Sequence, residues 1–346
     1  MLRDVKHNIS DGLLGFPKPT GDGLHIKIGV SPVVSDTPIT ILGSMDAATI
    51  KERLGLSPLA DATMDSVLAG ANRIFCLPVS ATTAGTVGEV VHTGDGGGSM
   101  TVSGSPHNAF SVIFRITAQG GLNTAAFVVS IDGGYSFTDE ITVPMTGDYE
   151  IAGTGLKVKF AEATEPEQQP SSFLVNDTFT FSTTAPTMTN GDVLAAIEKV
   201  KRFNQEFELI HIVGASTPSL WIAVSEAQKE LMEVSHKPAF MLLEAAMPDD
   251  EEEDLTDWAL QMETDRKKVK NTDVQVCAAW GRLVRLDGTT QVVNLAGLAA
   301  GRYAMTKVSV SIGKTRTEDG LGFATSRLLE LLPTGYDDSI IELLNV

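Results

Sequence analysis

Between about Thr83 and Pro186 the apolar residues repeat every second position, and on both sides of that stretch they do not. Phe110, Val112, Phe114 and Ile116 alternate with polar neighbours, as do Phe127, Val129 and Ile131, then Leu156, Val158 and Phe160, then Phe179 and Phe181. A period of two places one residue set on a single face of a strand and is incompatible with a helix stripe. Glycines at 94, 96 to 98, 120, 121, 133, 134, 153 and 155 punctuate these runs. About seven short strands at this spacing predict a β-sandwich. Residues 83–186 are therefore expected to form an all-β domain inserted into a different fold.

The flanking residues, 25–82 and 187–313, carry strand and helix signals in alternation. HIKIGVS and TPITILG read as short strands, DAATIKERLG as a helix with Asp46 at its start, and Leu59 to Ala71 as a second helix. ANRIFCLPVSA is an apolar strand of the kind buried on both faces. After the insertion, Gly191-Asp192 opens a helix with Val193, Leu194, Ile197 and Val200 on one face, and FELIHIVG is a strand. Ser216 and Thr217 are candidate caps for a helix with Pro218 in its first turn and Leu220, Trp221, Val224, Leu231 and Met232 inward. PAFMLLEAA follows as a strand, and the acid run Asp249 to Asp254 begins a helix that ends in Arg266, Lys267, Lys268 and Lys270. Acids first and bases last complement the helix dipole, so the run reads as a solvated helix start, not a metal site. The predicted fold class is an α/β core, mostly parallel or mixed sheet flanked by helices, with the inserted all-β sandwich-like domain.

With 346 residues the chain has room for two or three domains, and its formal charge is −18. Nucleic-acid binding needs clustered Lys and Arg and is not expected. The 83–186 stretch is itself acidic, its bases being Arg115, Lys157 and Lys159. No apolar run reaches the ~18 residues of a membrane span, and the first residues hold no secretory signal. Cys76 and Cys277 lie in apolar strand-like runs without a CxxC partner and read as small buried hydrophobes.

Motifs for catalysis fail one at a time. Gly313-Lys314-Thr315 lacks the partner glycine of a P-loop, since Val308 occupies that position. The turn in IVGAST is ordinary α/β topology, and GDGGGS at 94–99 precedes a strand and reads as a flexible loop. The histidines at 7, 25, 92, 107, 211 and 236 form no metal pair, and His211 reads as a satisfied core residue. There is no GxSxG elbow, and Asp132-Gly133-Gly134 reads as a turn and only a weak calcium candidate. The expectation is a protein that is not an enzyme and holds no cofactor or metal.

Val276 to Lys314 runs VCAAWGRLVRLDGTTQVVNLAGLAAGRYAMTKVSVSIGK. A strand from Val274 to Trp280 passes a turn at Asp287-Gly288 to a strand from Gln291 to Asn294 and then to the small residues 296–301, which let two backbones approach closely. A strand pair followed by such a run resembles the core of contractile bacteriophage tail sheath proteins, in the branch often described only as phage proteins of unknown function. The resemblance covers about residues 25–346. It implies a self-assembling subunit of hexameric rings stacked around a tail tube, contracting by subunit rearrangement. Its partners would be further copies of itself, the tail tube protein, and baseplate and tail terminator proteins. Its place would be the virion tail, after a first stage in the host cytoplasm. Residues 1–24 would be an arm, with Leu2, Val5, Ile9, Leu13 and Leu14 as the apolar residues that join a neighbouring subunit. Residues 314–346, with LGFATSRLLELL read as a helix, would begin the family's C-terminal subdomain, whose remainder the sequence does not include. The alternative is a carbohydrate- or receptor-binding sandwich on an α/β scaffold, for which the insertion supplies Tyr135 and Tyr149 besides its alternating phenylalanines.

Overall fold

The computed structural model describes residues 23–165, 169–248, 254–306, 327–335 and 337–344. The proposed arm residues Leu2, Val5, Ile9, Leu13 and Leu14, and the Gly313-Lys314-Thr315 triplet, lie outside them.

The protein is mixed α/β. Its central sheet has six strands in the order β14-β13-β12-β1-β3-β2. These are β1 (His25–Val30), β2 (Ile39–Leu42), β3 (Arg73–Val79), β12 (Leu209–Ser216), β13 (Phe240–Ala245) and β14 (Val274–Cys277). All neighbours are parallel except β2, which runs antiparallel on the β3 edge. One face packs on α3 (Asn190–Lys201) and α4 (Pro218–Glu233) through Ile26, Ile28, Leu77, Ile210, Met241 and Leu243, against Val193, Ile197, Trp221 and Val224. The other face is covered by α1 (Ala47–Leu54), α2 (Pro58–Leu68) and α6 (Ala296–Met305). Covering both faces is what a parallel sheet requires, and it explains why β1 is buried along its whole length and β3 along most of its own.

Helix starts follow local chemistry. Asp46 accepts from the Thr49 amide at 2.9 Å, and Ser57 from the Ala60 amide at 3.2 Å. Thr189 and Asp192 form a reciprocal capping box at α3. Asp254, the last residue of the acid run, caps α5 (Leu255–Arg266) by accepting from the Thr256 amide at 2.8 Å. At the start of α4, Thr217 makes no side-chain cap bond. Ser216 is engaged elsewhere: its hydroxyl donates to the Glu244 carbonyl and accepts from Trp221 Nε1 at 2.8 Å. Met232, expected inward, is 37% exposed, because Leu231 takes the buried position beside it.

Between β3 and α3 the chain builds two antiparallel sheets. One holds β5 (Ser99–Gly104), β10 (Leu156–Ala161) and β9 (Asp148–Ile151) in that order. The other holds β4 (Val91–Thr93), β11 (Thr178–Ser182), β6 (Ser111–Ala118), β7 (Ala126–Ser130) and β8 (Ile141–Thr142). The alternating residues Phe114, Phe127, Phe160 and Phe179 point into one core shared by both sheets. Ring centroids there lie 5.2–5.7 Å apart for Phe114, Phe127 and Phe160, in tilted and edge-on pairs. The GDGGGS segment is not a free loop. Gly98 donates to the Ser172 carbonyl at 2.7 Å, and a Cβ there would sit 2.5 Å from Phe173 Cε1. These glycines are needed for close approach, not for flexibility.

Two further expectations change. The strand expected from Val274 to Trp280 is two strands, β14 and β15 (Trp280–Val284), because the chain leaves one sheet and enters another at Ala278-Ala279. Asn294 donates to the Cys277 carbonyl at 2.9 Å and Trp280 Nε1 to the Ala245 carbonyl at 3.1 Å, which satisfies backbone oxygens freed at the break. The helix expected over 321–332 is instead, in its described part, the strand β17 (Leu328–Leu332), antiparallel to β15. With β16 (Thr290–Asn294) it makes a three-stranded sheet in the order β16-β15-β17. Finally α7 (Asp338–Leu344) packs Ile340 against Trp258 and Ala259 of α5.

Candidate functional site

Strand β1 carries two ionisable residues, His25 and Lys27, on the sheet face that α2 and α6 cover. In the parallel register Lys27 lies opposite His211 of β12. Its Nζ donates to His211 Nδ1 at 2.6 Å, and His211 Nε2 lies 2.9 Å from Glu244 Oε1 on β13. Lys27 and His211 are fully buried and Glu244 nearly so. A donor on one side and a carboxylate on the other assign His211 as neutral with its proton on Nε2. The register shifts between His211 and Ala215, and Gly214, at φ +106°, turns its amide to Glu244 Oε2 at 3.0 Å. The three side chains thus cross-link three adjacent strands.

Burial sets the proton affinities. It pulls Lys27 down from its usual 10.5 to about 8, against the raising influence of Cys76, Glu244 and Asp65. It pushes Glu244 up from 4.5 to about 7, although the Gly214 amide and Lys27 oppose this. His211 falls well below its ordinary value through burial and the Lys27 charge, and His25 likewise through burial, Lys27 and His211.

A second buried cluster adjoins the first. Arg285, in the β15–β16 turn, places Nη1 2.8 Å from Asp61 Oδ2 and Nη2 3.2 Å from Asp65 Oδ2, two carboxylates one turn apart on α2. Burial raises Asp65 from 3.8 to about 6 despite Arg285. Burial disfavours the Arg285 charge, and Asp61 and Asp65 more than compensate, so it stays ionised.

Helix α6 closes this layer. Gly297 and Gly301 face α2 so closely that a Cβ at Gly297 would lie 2.9 Å from Asp65 Cβ, and one at Gly301 2.5 Å from the Ser66 carbonyl oxygen. Ser66 Oγ donates to the Gly297 carbonyl at 2.5 Å. The small-residue run is a helix-packing seam, which lets the helices approach over the charged cluster.

A lysine, a histidine and a glutamate in a row could move a proton, and here all three side chains are buried. Their hydrogen bonds run across three strands and hold the strand register. Sequence reading placed His211 correctly as a satisfied core residue but missed Lys27, Glu244, Asp65 and Arg285. The available signal was His25 and Lys27 inside a strand otherwise destined for complete burial. The other histidines whose side chains have contacts are scattered: His92 stacks on Phe179 at 4.4 Å, and His107 bonds the Gly153 carbonyl. No group of three metal-ligating side chains occurs among the described residues. Asp132 is occupied by the Ser130 and Ser136 hydroxyls. Cys76 is buried beside Thr63, whereas Cys277 is only partly buried; burial pushes both thiols up to about 12. Among the described residues no helix is long and apolar enough to cross a membrane.

No curated protein matches the chain. The solved sheath tail protein from Desulfitobacterium hafniense is similar to it at 16% identity and a TM-score of 0.43, over 99% of this chain and 70% of that one. Over residues 2–346 the sequence matches the family described as DUF2586, N-terminal domain, and the chain belongs to that family.

Proposed function

We propose that this protein is a structural, self-assembling subunit of a contractile phage tail sheath or a related injection machine. The observation that carries the reading is the order β15, β16, α6, with Gly297 and Gly301 of α6 seated on α2. The sequence resemblance pairs Val274–Trp280 with Gln291–Asn294; the strand paired with β16 is β15, and the small-residue run follows as α6. The two-sheet unit is then an inserted sandwich, and the sealed Lys27–His211–Glu244 row is scaffolding in a protein that is not an enzyme. Hexameric rings, the tail tube, baseplate and terminator proteins as partners, and the virion tail as location all belong to this proposal. Contraction would be a rigid-body rearrangement between two packings of the subunits, with its energy stored in their contacts. Negative-stain imaging of the concentrated protein, alone and with tail tube protein, tests it. Rings or tubes are expected; monodisperse particles in both samples would count against the sheath reading.

One observation favours the second reading, a glycan- or receptor-binding sandwich. Tyr135 is 60% exposed, and Arg115 stacks 4.5 Å from the centroid of the partly exposed Phe137 ring. Tyr149 does not contribute, because it packs edge-on against Phe114 and Phe127. Saturable binding on a glycan array, lost in Tyr135→Ala, would favour this reading.

A further inference from the structure

Among the described residues, two connections join the two-sheet unit to the helix-covered sheet. The first is the chain itself, which leaves β3 and returns to α3 through a narrow antiparallel ribbon bridged at Thr83–Thr187 and Val87–Thr183. Thr82 Oγ1 donates to Asp192 Oδ1 at its base, at 2.7 Å. A two-stranded ribbon alone allows bending and twisting. The second connection is made by side chains. Asn108, in the β5–β6 loop and only 8% exposed, donates from Nδ2 to Asp61 Oδ2 at 2.8 Å. That same oxygen accepts from Arg285 Nη1 at 2.8 Å, and Arg285 is held in turn by Asp65. Beside this chain Leu56, from the α1–α2 loop, packs onto the core of the two-sheet unit, where a Cβ on Gly153 would lie 3.3 Å from Leu56 Cδ1.

We propose that Asn108, Asp61 and Arg285, with Leu56, form a clasp that makes the two-sheet unit and the α/β layers move as one body. Arg285 is the fixed part. Its fork spans two carboxylates on one helix, which presents Asp61 Oδ2 in a defined direction. Asn108 is the releasable part, because opening the clasp leaves the Arg285 pairs intact and lets Asp61 take water in its place. The arrangement gives Arg285 a purpose that the packing of β15 and β16 does not require, since it crosses from their turn to α2. The clasp is independent of tail assembly and stands or falls separately from the sheath reading.

Paired spin labels test this in the full chain. Cys277→Ser removes the partly buried thiol, while Cys76 is fully buried. Labels go on Lys157→Cys of β10 and Glu226→Cys of α4, whose native side chains are 69% and 70% exposed. The background protein should give one narrow distance distribution. Asn108→Asp sets a carboxylate against Asp61 and should add a second, broader population. Asn108→Ala, which removes the donor without adding charge, guards against local misfolding and should broaden the distribution while unfolding cooperatively. A broad distribution in the background protein, or a narrow one in a cooperatively folded Asn108→Ala protein, overturns the clasp.

Discussion

Replacing Lys27 by methionine should cost the protein little, while replacing Glu244 by alanine should cost it much. Intuition would rank them equally as halves of one buried pair. Holding Lys27 charged with its pKa at about 8 costs about 3 kcal/mol at pH 7, at about 1.36 kcal/mol per unit. Lys27→Met removes that penalty with a side chain of similar length. It leaves His211 Nδ1 without its donor, at about 1–3 kcal/mol. Glu244 loses an attractive charge, but burial has already raised its pKa to about 7, so taking up a proton near neutral pH costs it little. Full protonation adds less than about 1 kcal/mol. The sum runs from roughly neutral to about 2 kcal/mol stabilising, as expected for apolar replacement of buried charge. Glu244→Ala instead strands the Lys27 charge, the His211 Nε2 proton and the Gly214 amide, and should cost about 3–5 kcal/mol.

The pH dependence separates the two groups. Glu244 has its folded pKa raised, so the folded state binds the extra proton and this contribution weakens as pH rises from about 4.5 to 7. Asp65, raised to about 6, acts in the same direction between about 4 and 6. Lys27 has its folded pKa lowered, so its contribution to stability recovers as pH rises from about 8 to 10.5. Urea unfolding followed by the fluorescence of the buried Trp221 and Trp258, at pH 5, 7.5 and 9.5, measures both effects. The recovery above pH 8 should vanish in Lys27→Met. A Lys27→Met protein destabilised by more than about 3 kcal/mol would refute the reasoning, since the lysine would then be a net contributor to stability.

Three further outcomes are expected. Gly301→Val should lower stability by about 1–3 kcal/mol, because its Cβ would press on the Ser66 carbonyl and on Ala69; Gly191→Ala, whose Cβ meets only Thr189 Oγ1 at 3.7 Å, should not, and a thermal scan compares them. Residues 83–186 expressed alone should unfold cooperatively with a β-rich far-UV spectrum, because their two sheets share one aromatic core; a disordered fragment would refute an autonomous sandwich. Deleting residues 1–16 should leave the thermal transition unchanged and slow polymerisation relative to the intact chain, and equal polymerisation would remove Leu2, Val5, Ile9, Leu13 and Leu14 from assembly.

Elements whose pattern had one solution were legible in the sequence. The alternation at Phe110 to Ile116 can bury one face only as a strand, and β6 buries Val112, Phe114 and Ile116 on one side. The run 296–301 has almost no side chain to hold a neighbour away, and it became the seam between α6 and α2. Elements whose pattern had two solutions went astray. LLELL satisfies a helix stripe and a strand equally, and its choice was made by the open edge of β15, which lies more than forty residues earlier in the chain. Continuity of apolar residues from Val274 to Trp280 likewise concealed a change of sheet.

The candidate site was hidden for a different physical reason. Lys27, His211, Glu244, Asp65, Asp61 and Arg285 sit on five separate elements, and no spacing links them. Each taken alone is an ordinary ionisable residue in a strand, helix or turn. What marks them is burial, and burial follows from topology: β1 lies between β12 and β3, with helices on both faces. Any charge on that strand must find its partner inside the protein or give up its proton. The lysine in HIKIGV therefore implied a carboxylate or a neutral base on an adjacent strand as soon as the strand was assigned to a central position. That inference needs only the strand order. Which acid would answer, Glu244 on β13 through His211, required the register.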